Sequence, residues 1–317
     1  MKKIVYSFVF IFALIAFVAC ERDPVDVNNS VIPERTAYQT AFDRWLYENI
    51  TSEYNIRLIY RFEDIEADPR HNVIPVRLRQ AEVMAQIIQH VWLAAYDEAV
   101  DSTFTRSFQP RLVQLIGSNA YLEHGRILGT AEGGLKVSLF NVNAINEHNL
   151  DPVMLNREFF HTIHHEFAHI LHQRRMFSDD FQRISDAYYI MGSWIDYANP
   201  PGVIRALQLG FITPYSRFNH YEDFVELFSV YVTNTPEEWN RRLAIARTGG
   251  PPSRPGVTGE DVINQKMDIL RDYMLSVWNL CIYRLRDVVL RRSAEVVSPD
   301  FYFIRFDDDV PTWRPPM

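Results

Sequence analysis

Residues 151–175, DPVMLNREFFHTIHHEFAHILHQRR, decide how the whole chain is read. Phe159, Phe160, Ile163, Phe167, Ile170 and Leu171 recur at helical spacing with no Gly or Pro among them. That pattern predicts a buried helix over 152–175, with Asp151 as N-cap and Pro152 in the first turn. Within it, His165-Glu166-Phe167-Ala168-His169 forms an H-E-x-x-H motif. On a helix, imidazoles four residues apart leave from one face and can grip a single zinc ion. Glu166, one step round the same turn, is then placed to act as general base on a water at the metal.

Two histidines do not complete such a site, because catalytic zinc takes three protein donors and keeps a fourth position for water. His172 and His161 share the face of His165 and His169, but one straight helix cannot easily wrap a third donor round the ion. No Gly and more distant His follow at the metzincin spacing. Residues 214–226, PYSRFNHYEDFVE, offer a better source. A helix there would set a carboxylate, from Glu222, Asp223 or Glu226, opposite the two imidazoles. The plainer readings are a carboxylate favoured by a helix N-terminus for Glu222 and a packed aromatic for Tyr215.

The start of the chain reads as an export signal. Lys2 and Lys3 precede an apolar run over 4–18, and Ala19-Cys20 is followed at once by Glu21-Arg22-Asp23. The run is too short for a membrane span and no stop-transfer pattern follows. Phe17-Val18-Ala19-Cys20 resembles a bacterial lipobox with Phe in place of the usual Leu, which implies cleavage before Cys20 and its lipidation. The expected organisation is a signal peptide at 1–19, a lipidated Cys20 with a flexible tether to 35, and one domain over 36–317. Cys281 is then the only remaining thiol, so no intramolecular disulfide forms; in an apolar helical run it reads as buried and inert. Net charge is −8, and loss of Lys2 and Lys3 takes it to −10. With no basic stripe or recognition motif, nucleic acid is excluded as a partner.

Along the domain, helices are predicted over 37–48, 78–95, 178–192 and 221–232, with a long helix or kinked pair over 260–294. Alternation predicts strands over 54–62, 112–116, 126–130 and 135–142, and Gly249-Gly250-Pro251-Pro252 marks 248–259 as a loop. The fold class is therefore α+β: mixed strands first, a helical half second. The strand over 135–142 is a candidate edge for an extended substrate, although an interior strand explains the same alternation.

Residues 214–226 resemble the third-ligand region of lethal-factor-like gluzincins. There a Tyr stands seven residues before the ligand Glu, an Asn three before, and a second Glu four after, which Tyr215, Asn219, Glu222 and Glu226 match. The resemblance implies a zincin-like fold with Glu222 as third metal ligand and Tyr215 as hydrogen-bond donor to the developing oxyanion. It also implies supporting places for Glu226 and Asn219 around the ligands. The chain further resembles zinc metallohydrolase-type lipoproteins of Bacteroidetes associated with SusC/SusD-like import. The likeness is carried by the lipobox, Trp45-Leu46-Tyr47-Glu48-Asn49, Tyr54-Asn55-Ile56, the H-E-x-x-H segment and Glu222-Asp223-Phe224-Val225-Glu226. Val225 stands where such sequences often carry Ala. This implies an outer-membrane lipoprotein, on the periplasmic or cell-surface face, that hydrolyses peptides or proteins with Zn2+. The rival expectation is a non-catalytic surface lipoprotein that binds peptides or glycans for import.

Overall fold

The computed structural model describes residues 40–63, 66, 71–122, 125–127, 129–132 and 135–306. The expected signal segment, Cys20 and the tether to 35 lie outside the described residues. Helix α1 (residues 41–54) is started by a capping box between Thr40 and Asp43, passes through a π-helical turn at Tyr47–Thr51, and stops at Asn55 with φ of 56°. Strand β1 (Arg57–Ile59) follows; it is shorter than the predicted 54–62 because Tyr54 still belongs to the helix, where its hydroxyl donates to Asp97. Helix α2 (residues 78–99) is buried along most of its length, and α3 (Ser102–Phe108) is capped by Asp101.

Five strands come next: β2 (Leu112–Leu115), β3 (Ala120–Leu122), β4 (Gly125–Ile127), β5 (Gly129–Glu132) and β6 (Lys136–Leu139). The main sheet has the order β1-β2-β6-β5, with β1, β2 and β6 parallel and β5 antiparallel to β6. The predicted mixed sheet is present, but 126–130 divides between two strands. Residues 125–127 pair with β3, and 129–132 pair with β6. β6 is interior, hydrogen-bonded on both sides, so the edge next to it belongs to β5 and the substrate-edge reading of 135–142 is corrected.

The second half is helical. It comprises α4 (residues 152–174), α5 (Asp180–Ser185), α6 (Gly202–Gln208), α7 (His220–Thr233), α8 (Pro236–Ala246), α9 (Gly259–Trp278) and α10 (Ile282–Val297). The predicted helix over 178–192 stops at Ser185, because Tyr188 and Tyr189 turn away to bond Ser253 and Asp223. The C-terminal pattern resolves into a pair broken at Asn279, whose φ of 53° suits an Asn more than most residues. Cys281 therefore lies at the N-cap of α10, half-buried, and not within a helical run as expected.

α4 packs against α7 on one side and against β5 and β6 on the other. Behind it, fully buried Phe167 meets Trp92, Tyr96 and Phe104 edge-to-face, so the helix is gripped along its apolar stripe. α7 is also tied to α9 through a buried ion pair. Lys266 Nζ lies 2.6 Å from Asp223 Oδ2, donates to the Gly210 carbonyl at 2.8 Å, and sits 3.9 Å over the Phe211 ring. Tyr189 adds a hydrogen bond to Asp223 at 3.0 Å.

Candidate metal centre

Asp151 caps α4 through the Val153 N–H, with Pro152 at the first turn, as the sequence predicts. A π-helical turn at Asn156–Phe160 then leads into His161–Arg174. On that stretch His165 and His169 point to one side, their rings 4.9 Å apart. α7 brings Glu222 to them: its Oε2 is 3.2 Å from Nε2 of His165 and 3.2 Å from Nε2 of His169. Three donors on one ion at about 2.0–2.1 Å would stand roughly 3.3 Å apart in a tetrahedron, so the spacing fits zinc.

The outer nitrogens of the rings are held as well. His165 Nδ1 lies 2.8 Å from Glu226 Oε1, and Thr213 donates to the other oxygen of Glu226 at 2.6 Å. His169 Nδ1 lies 2.9 Å from His172 Nε2, and the His172 ring is stacked on Tyr221. Partners on Nδ1 orient a ligating imidazole and leave Nε2 to the ion. Burial opposes charge on His165, but hydrogen bonds to Glu222 and Glu226 prevail and hold its pKa up at about 10. Glu222, despite burial, is held down at about 2 by the same imidazoles. The carboxylates of Glu222 and Glu226 thus set negative charge against both sides of the His165 ring.

Each predicted residue has a definite place. Asn219 is the N-cap of α7, its side chain accepting from the N–H groups of Tyr221 and Glu222 at 2.8 and 2.9 Å. It thus acts on Glu222 through the helix start. Tyr215, on the short turn Tyr215–Arg217, lays its ring 5.9 Å from that of His165. Burial, with the charges of Glu222, Glu226 and Glu166, holds its phenol proton on, so Tyr215 remains a donor. Burial also raises Glu166, against the pull of His165 and His169. Among the described residues no side chain hydrogen-bonds the Glu166 carboxylate. Asp223, one of the open alternatives for third ligand, turns away to Lys266.

Two more histidines stand close by, one weighed as a third donor and set aside, the other not foreseen. His161 Nε2 stands 3.0 Å from Glu226 Oε1, a charge contact and not a well-aimed hydrogen bond. With His165 and Glu226 it forms a second donor group, overlapping the first. Fully buried His164 meets the Tyr96 hydroxyl at 3.0 Å, and burial drives its pKa down to about 3. His164 stands one residue before His165 and five before His169, so helical spacing turns it away from the donors toward the apolar side.

Glu222→Ala is expected to weaken zinc binding by more than the roughly 10–100-fold typical of losing a group that merely orients a ligand. Glu226→Gln should fall within that window. Competition titration with a chromophoric chelator measures both, and unchanged affinity in Glu222→Ala would move the third donor elsewhere.

Two histidines and a carboxylate, delivered by packed helices beside a small mixed sheet, make the kind of donor set that zinc metallopeptidases use. Comparison with known proteins agrees. Residues 35–283 match a family described as "Putative zinc-binding metallo-peptidase". A crystal structure of a putative zinc-binding metallo-peptidase from Bacteroides caccae is 34% identical, over 82% of this chain and 94% of that one, with a TM-score of 0.67. No curated protein shows significant similarity. The chain belongs to this family of zinc-binding metallo-peptidases.

Proposed function

We propose that the protein is a gluzincin-type peptidase with a zincin-like fold, hydrolysing peptide bonds at a zinc ion held by His165, His169 and Glu222. The observation that carries this reading is the meeting of those three donors beside a Glu166 carboxylate with no side-chain hydrogen bond among the described residues. Zinc bound there supplies Lewis acidity, polarising the scissile carbonyl and lowering the pKa of water to about 7. Glu166 takes the proton of the attacking water on its carboxylate and passes it to the leaving nitrogen. Its raised proton affinity suits the second half of that task. Tyr215 donates its O–H to the oxygen on which negative charge develops. Glu226 and His172 hold the two imidazoles in the orientation that presents Nε2.

A carboxylate beside the proposed metal donors, with no side-chain hydrogen bond among the described residues, supports hydrolysis over passive binding; a structural metal site has no use for it. Beyond the active site, we propose lipidation at Cys20, anchorage in the outer membrane and service to a SusC/SusD-like import system. The lipobox-like Phe17-Val18-Ala19-Cys20 and the acidic residues after it support anchorage.

Tyr215→Phe tests the oxyanion role separately from metal binding. Turnover is expected to fall by roughly 10²–10³-fold with zinc content unchanged. Metal analysis beside steady-state cleavage of a quenched fluorogenic peptide mixture reads both quantities. Full activity in this variant would remove Tyr215 from the mechanism.

A further inference from the structure

Between α5 and α6, the segment Met191–Tyr197 is a 3-10 helix. With three residues per turn, side chains three apart eclipse one another. Met191, Trp194 and Tyr197 therefore form one apolar row. Trp194 meets Tyr215 edge-to-face at 4.8 Å, and Tyr215 in turn is stacked beside His165. The Arg217 guanidinium lies 5.4 Å over the Tyr197 ring, and the Ile190 N–H donates to the Arg217 carbonyl at 2.8 Å. The row is thus fastened along the turn that carries Tyr215.

Its outer side is open. Met191 is 60% exposed and Tyr197 44%. A Cβ built on Gly192 meets no atom within 4 Å. Met191 also has a φ of 51°, a left-handed conformation that costs free energy for a side chain of its kind. Strain of this sort, on a residue that buries little, is drawn to sites where something else is bound.

We infer that the Met191–Trp194–Tyr197 row is the wall that sets specificity, receiving a large apolar or aromatic side chain of the peptide next to the bond to be cut. This rests on the peptidase reading and narrows its substrate class. A second copy of the chain is a poor occupant, because a stable dimer buries about 800 Å² on each partner and three side chains offer far less. Continuity with the metal centre through Trp194, Tyr215 and His165 instead points to the molecule already lying on that centre. An aromatic or aliphatic side chain there would gain contact with an indole, a thioether and a phenol ring.

The test uses the zinc-loaded Glu166→Gln chain, so that binding is read without turnover. Four blocked hexapeptides, identical except for a central Phe, Leu, Ala or Asp, are titrated by calorimetry. The Phe and Leu peptides are expected to bind roughly tenfold or more tightly than the Ala and Asp peptides. Adding Trp194→Ala should shrink that ratio to within roughly threefold, a loss of most of the pocket's discrimination. Met191→Asp, at an exposed position where folding is not at stake, should do the same by placing charge in the row. Equal binding of all four peptides, no binding of any, or a preference that survives in both variants overturns the inference. Equal cleavage of the four peptides by the wild-type chain also removes it and leaves hydrolysis standing. Phe-selective binding without any wild-type cleavage does the reverse.

Discussion

Glu166→Gln is expected to keep its zinc and lose turnover by about 10²–10⁴-fold, the range over which a positioned proton-transfer group acts. The amide keeps the shape of the carboxylate but can no longer accept the proton of the attacking water. His165, His169 and Glu222 are untouched by the change, and no hydrogen bond from a described side chain is broken by it. Zinc stoichiometry should therefore stay at wild-type level while peptide cleavage collapses, and the two are read on the same purified sample. A variant that cleaves at the wild-type rate would sink the assignment of the base. One that loses both metal and activity would instead make Glu166 part of the metal-binding set.

The largest expected effect on stability lies away from the metal. Lys266→Met takes from Asp223, buried at 1% exposure, the cation that opposes the upward push of burial on its pKa, so the acid must keep a charge it cannot hydrate or take up a proton. Breaking a buried pair from one side costs about 3–5 kcal/mol, because the remaining charge cannot recover its hydration. A drop of that size in denaturant unfolding is expected for Lys266→Met. The double variant Lys266→Met with Asp223→Asn should recover most of it, since no unpaired charge is left and Tyr189 keeps an acceptor. If the single variant unfolds like the wild type, the ion pair contributes nothing net and α7 is held to α9 by apolar packing alone.

The helix of the metal motif was legible because three independent signals coincide on it: an N-cap with Pro, an unbroken apolar stripe, and donors at a four-residue spacing. Glu222 was singled out only through its resemblance to known third-ligand segments, for nothing local separates it from Asp223. What divides them is the direction of the side chain on α7, and that depends on Lys266, forty-three residues away in the sequence. The segment after α5 was misread for a related reason. Phe181, Ile184, Tyr188 and Tyr189 fit a helical pattern, yet hydrogen bonds from the two tyrosines to distant partners outweigh one more turn of helix. Trp194 was passed over because an isolated Trp in a loop carries no signal until its neighbour Tyr215 is known. The break at Asn279 could have been found, since Asn is among the few residues that end helices in a left-handed conformation.

The cap on α7 would let a residue remote from the ion decide how steadily the proposed ligand Glu222 is held. Asn219 ties down the first turn of the helix, and Glu222 sits in that turn. The angular register is set further along by buried Phe224, Val225, Leu227 and Phe228, so loss of the cap would fray the turn that carries the carboxylate and leave the rest of the helix in place. A chain with an apolar residue at position 219 is thus expected to hold this centre more loosely, by about 1 kcal/mol, with every donor side chain still spelled in the sequence.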